Sequence, residues 1–130
     1  MRLTLLTLSL LAGLTLLTAC GGAAAPSPTP AQAGPKISLT TNPDLPKSGD
    51  VELVVMVNDS NGQPIPDADV FIFADHTEMK GMSMNGRATT QGEGRYATTA
   101  SFAHSGKWKV TVQVKKAPFD VVEEFILELQ

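Results

Sequence analysis

The feature that most constrains this fold is a strict alternation of apolar and polar side chains near the carboxyl end of the chain. Lysine, threonine or glutamine occupies the polar positions, and the apolar positions are Trp108, Val110, Val112 and Val114. Successive side chains of a β-strand point to opposite faces, so a period of two predicts a strand with one face in a core and the other in water. We therefore expect Trp108 to be a core residue.

Similar short runs, separated by turn residues, cover the rest of the chain from Lys36 onward. The predicted strands are residues 36–41, 51–58, 68–74, 84–90, 94–102, 107–115 and 119–129. No stretch has the period of a helix. Seven short strands with frequent turn signals predict an all-β fold, an immunoglobulin-like antiparallel β-sandwich of about seven strands. A small barrel is the alternative.

Two of these strands carry more specific expectations. The run ADVFIFA at 68–74 is apolar almost throughout, which predicts a strand buried on both faces. In the last strand Phe125, Leu127 and Leu129 share one side, but Glu123 stands where that side requires an apolar residue. This departure predicts a β-bulge at Glu123.

Composition and charge exclude several classes of function. The net charge is −3, with no run of lysine or arginine, so the chain lacks the basic surface that nucleic-acid binding requires. One cysteine and two histidines leave few groups for catalysis, and no Gly-x-Ser-x-Gly nucleophile motif is present. We expect neither a nucleic-acid-binding protein nor an enzyme.

The first 19 residues have the pattern of a signal peptide, with Arg2 followed by a leucine-rich stretch. They end in LTAC at 17–20, which looks like a bacterial lipobox and implies an acylated Cys20 as the first mature residue. Acyl chains would hold the protein on the extracytoplasmic side of the cell membrane or outer membrane. A plain secretory signal with an unmodified cysteine is the alternative. Residues 20–35 are rich in proline and alanine and predict a tether, which leaves 36–130 as the folded domain.

Methionines cluster between the third and fourth predicted strands. Met79, Met82 and Met84 fall within six residues, shortly after His76. Thioethers are soft donors that suit Cu(I), and imidazole also binds copper, so these four residues form a candidate copper site. His104 precedes a turn and is held as a substitute donor. Alternatively, the methionines are adaptable packing residues.

Five short motifs follow one another along the chain: GQPI at 62–65, ADV at 68–70, the methionine cluster, GRY at 94–96 and GKWKVTV at 106–112. This ordered series resembles the bacterial YtkA-like domain, which is related to the FixH-like group. The resemblance implies a β-sandwich of the kind found on secreted lipoproteins and beside copper-handling membrane components.

Two functions follow from these observations. The first is a lipid-anchored extracytoplasmic module that binds Cu(I) or hands it on to a copper-handling envelope protein. The alternative is an accessory interaction domain that docks another envelope protein without a metal, and whose methionines only pack.

Overall fold

The computed structural model describes residues 33–130; the predicted signal peptide, Cys20 and most of the predicted tether lie outside the described residues. The described chain forms seven strands: β1 (Lys36–Asn42), β2 (Gly49–Asn58), β3 (Asp69–His76), β4 (Ser83–Gly92), β5 (Arg95–Phe102), β6 (Gly106–Lys116) and β7 (Phe119–Leu129). Every pairing is antiparallel, which confirms the predicted seven-stranded β-sandwich. Within these residues we find no helix of the length and apolar character needed to cross a membrane.

The strands follow the order β1-β2-β5-β4-β3-β6-β7, and β4 joins the two layers. Its first half, 83–88, pairs with β3, and its second half pairs with β5 from Thr89 onward. One layer therefore contains β1, β2 and β5, and the other contains β3, β6 and β7. Since β1 and β7 line a common groove at the opposite side, the sandwich is nearly a closed barrel.

The core is built from the inward positions of β2, β3, β5 and β6. Its fully buried members include Leu53, Val55, Val57, Val70, Phe102, Trp108, Val110, Val112 and Val114. Trp108 is 1% exposed and lies edge-to-face against Phe102, with ring centroids 5.0 Å apart. The predicted core position of Trp108 is confirmed.

Tyr96 lies in the core near the end of the sandwich where β1 begins. Its hydroxyl donates to the carbonyl of Ile65 at 2.8 Å and accepts from the amide of Ala68 at 2.9 Å. The side chain is 1% exposed, so these bonds satisfy a polar group that burial would otherwise penalise. They also fix the chain between β2 and β3 against β5.

The predicted burial of β3 on both faces and the predicted β-bulge at Glu123 are both wrong. β3 is not buried on both faces, because its layer is covered on one side only: Val70 and Ile72 point inward, whereas Phe73 is 41% exposed on the outer face. Nor does β7 contain a bulge, since its register with β6 is unbroken and Glu123 lies opposite Val112. Glu123 keeps its inner-face position and yet is exposed, because β7 is a terminal strand beside an open groove.

Candidate functional site

The methionine cluster lies at the end of the sandwich where β3 passes into β4. The loop turns at Gly81, which has a φ of 82°, a conformation that favours glycine. The amide of Met82 donates to the carbonyl of Met79 at 3.4 Å, and the amide of His76 donates to the carbonyl of Met82 at 2.9 Å. Met79 is 44% exposed, whereas Met82 and Met84 are half-buried and pack against the core.

His76 is the last residue of β3 and is 7% exposed. Its Nδ1 accepts from the amides of Glu78 at 3.2 Å and Met79 at 3.1 Å, and its Nε2 lies 3.1 Å from the carbonyl oxygen of Ser105. A neutral imidazole protonated on Nε2 satisfies all three partners, and this tautomer follows from the hydrogen-bond network. Both ring nitrogens are therefore engaged by backbone groups, and the ring holds the loop in place.

His104 lies on the β5–β6 turn, beside the methionine loop. Its side chain is exposed, and its carbonyl oxygen accepts from the indole N–H of Trp108 at 3.1 Å. The amide of Thr77 donates to the carbonyl of Lys107 at 2.9 Å. Together with the bond between His76 and Ser105, this contact places the methionine loop and the turn of His104 at the same end of the domain.

Met84 also lines a cavity that the sequence did not predict. The cavity has a volume of about 240 Å³ and opens where β4 leaves β3 to join β5. Its floor includes Leu53, Ile72 and Ala74, and its rim includes Thr99 and Ser101. The cavity depends on β4 belonging to both layers, and the alternation pattern of a single strand contains no signal for that.

Carboxylates, thiols and imidazoles do not form a metal site in the described part of the chain. Among residues 33–130, no three His, Cys, Asp or Glu side chains lie close enough together to hold a metal ion. A copper site in this part would therefore depend on the methionine sulfurs. The fold brings Met79, Met82 and the turn of His104 to one end of the sandwich. Both nitrogens of His76 are hydrogen-bonded to backbone groups there.

Fold and loop together define a small immunoglobulin-like β-sandwich with a methionine-bearing loop at one end. The chain matches the YtkA-like family over residues 31–113, which is more than half of its length. It belongs to this family, as the series of short motifs predicts. No curated protein and no solved structure gives a significant match to the chain.

Proposed function

We propose that this protein is a lipid-anchored extracytoplasmic module that binds Cu(I) through methionine thioethers at the β3–β4 loop. Under this proposal it acts by binding and transfer, not by catalysis. An acylated Cys20 and the proline-rich tether would keep the domain near the surface of the cell membrane or outer membrane, within reach of a copper-handling envelope protein.

The partial exposure of the three clustered methionines carries the proposal. The core of this domain is made of valine, leucine, isoleucine and aromatic side chains that are almost completely buried, and none of the three methionines is among them. Met79 is 44% exposed, and Met82 and Met84 are half-buried. A copper ligand must be reachable by its ion, and the partial exposure of these three clustered thioethers leaves them reachable.

The proposed donors are Met79, Met82 and Met84, with His104 as the source of a nitrogen donor. His76 was a candidate donor from the sequence, but we assign it a positioning role. Coordination of a metal by His76 would break its hydrogen bonds to the loop or to Ser105. Neutral thioethers are poor ligands for hard cations such as Mg²⁺ and Ca²⁺, so we expect selectivity for Cu(I).

The test is a Cu(I) titration of the purified protein under anaerobic conditions against a competing chelator. We compare the wild type with the triple variant Met79→Leu, Met82→Leu, Met84→Leu, since leucine conserves volume and preserves the packing. Met56→Leu is the matched control, because Met56 is half-buried on β2 outside the loop. We expect the triple variant to lose at least about tenfold in affinity, or about 1.4 kcal/mol, and the control to bind as the wild type does.

Equal binding by the triple variant would reject the copper proposal. The methionines would then be packing residues, and the accessory interaction domain would be the remaining function. A measurement of His104→Ala in the same titration assigns the nitrogen donor, because only a ligand role predicts weaker binding at this exposed position.

A further inference from the structure

The two terminal strands of the sheet order, β1 and β7, border a groove on the side of the domain opposite β4. The groove has a volume of about 310 Å³ and is lined by Leu39, Thr40, Thr41, Asp44, Phe125, Ile126 and Leu127. In the described part of the chain, no strand pairs with the outer edge of β1 or of β7. We call this feature the β1–β7 groove.

The β1–β7 groove is closed at both ends and open in the middle. At one end the amide of Ser48 donates to the carbonyl of Gln130 at 3.3 Å, and the amide of Gln130 donates to the carbonyl of Pro46 at 3.0 Å. At the other end Pro35 is buried and Gly34 lies against the side chain of Val121. Between these ends, two strand edges present backbone N–H and C=O groups that another extended segment can use.

Apolar side chains are concentrated on both sides of the β1–β7 groove. Leu45 is 70% exposed, Ile126 65% and Val122 56%, and these are the three most exposed large apolar side chains in residues 33–130. Leu39 and Phe125 are half-buried and rest on the core. Such a concentration on the surface of a small domain marks an interaction site.

Acidic side chains also lie along the β1–β7 groove. Asp44 lines it, and Glu123 is exposed two residues before Phe125 on the same face of β7; among the described residues neither forms an ion pair. Glu124, by contrast, pairs with Lys109 at 3.4 Å. An unpaired inward-facing carboxylate beside Phe125 is a fixed negative charge that a lysine or arginine of a docked segment can neutralise.

We propose that the β1–β7 groove docks an extended segment of another envelope protein in which a lysine or arginine stands two residues from an apolar side chain, on the same face of the segment. The segment would add its backbone to the open strand edge, place apolar side chains against Leu39 and Phe125, and pair a cation with Glu123. This docking does not depend on copper. Its surface is separate from the methionine loop, and it recognises different chemistry.

Other occupants of the β1–β7 groove fit less well. The chain's own residues 21–32 carry no charge and contain three prolines, which lack the N–H that strand pairing needs. A second copy would bring one acidic β7 edge against another, and like charges directly opposite each other destabilise a strand pair.

The test uses the purified full-length protein and a short fluorescent peptide in which valine and lysine take turns at every second position, with threonine between them, so that both face the groove. Binding is followed by fluorescence anisotropy at several salt concentrations. We expect the lysine peptide to bind with an affinity that falls as salt rises, and a peptide with glutamate in place of lysine not to bind. Glu123→Gln should weaken binding by about fivefold to tenfold. Glu124→Gln is the control, because Glu124 is already paired, and it should leave binding nearly unchanged.

Hydrogen exchange locates the bound peptide. We expect slower exchange at amides of β1 and β7, and no change at β4 and β5. Equal binding by Glu123→Gln, or protection confined to β4 and β5, would overturn the proposal. The proposal would also be overturned if amides of β1 and β7 were protected without peptide and lost that protection on deletion of residues 21–32. The chain's own predicted tether would then be the segment that fills the β1–β7 groove. Concentration-dependent dimerisation weakened by mutation of β7 would identify a second copy instead.

Discussion

His76 and Trp108 lie edge to face across β3 and β6, with ring centroids 5.0 Å apart and ring planes at 74°. They are register partners, and each ring donates to a carbonyl of the same turn: His76 to Ser105 and Trp108 to His104. The pair therefore connects the buried core to both loops at the methionine end of the domain. Its two members differ in what they contribute, since Trp108 contributes apolar area and His76 contributes polar contacts.

Trp108→Ala should lower the free energy of unfolding by about 3–5 kcal/mol, because it removes a large aromatic side chain that is almost completely buried. Lys109→Ala is the matched control on the other face of the same strand. Its ion pair with Glu124 joins two exposed side chains, so the change should stay within about 0.5 kcal/mol. Urea denaturation of both variants measures the difference, and equal midpoint shifts would contradict it.

His76→Phe should destabilise the protein by about 1–3 kcal/mol, although it preserves a ring beside Trp108. The amides of Glu78 and Met79 would lose their acceptor, and the carbonyl of Ser105 would lose its donor. Hydrogen exchange at the two amides should therefore become faster. His104→Phe is the control at an exposed ring, with an expected change within about 0.5 kcal/mol. Unchanged exchange in His76→Phe would show that the ring does not hold the loop.

The strands could be predicted from the sequence because the period of two is a direct consequence of strand geometry. Around Trp108 and Val55 the alternation is regular, and there the predicted and observed strands agree within about two residues. The core position of Trp108 follows from the same pattern. The pattern of one strand, however, describes only its own two faces.

The features that could not be predicted from the sequence arise from the way in which different strands pack and pair with one another. Phe73 is exposed because nothing covers the outer face of its layer, and Glu123 is tolerated on an inner face because β7 ends the strand order. The cavity beside Met84 exists because β4 changes layers. The hydrogen bond from His76 to the carbonyl of Ser105 reaches a turn 29 residues further along the chain. Neither the composition of the loop nor its methionine spacing contains that information.

Under the proposed lipid anchoring, Cys20→Ala should abolish acylation and stop cleavage before residue 20, because the acyl group would be carried by the cysteine sulfur. The variant should retain the predicted signal peptide and show a larger mass than the processed wild type. Intact-mass analysis of membrane fractions measures both changes. Ser27→Ala, in the predicted tether, is the control and should be processed as the wild type is. A wild-type mature chain without lipid would reject the predicted anchor.

Gly94→Ala should destabilise the domain more than Gly92→Ala, although the two glycines lie on either side of Glu93 where β4 passes into β5, and both have positive φ values, 73° and 88°. A side chain at Gly92 would meet nothing within 4 Å, so only the left-handed backbone strain applies, about 1–2 kcal/mol. At Gly94 an added Cβ would lie 2.6 Å from the carbonyl oxygen of Val57 and 3.0 Å from Pro64, which forces a backbone shift. That shift disturbs the bond from the Val57 amide to the Gly94 carbonyl, and overpacking of this kind costs about 1–3 kcal/mol more. Urea melts of the two variants isolate this contact, and a Gly94→Ala loss no larger than that of Gly92→Ala would show that the turn accommodates the methyl group.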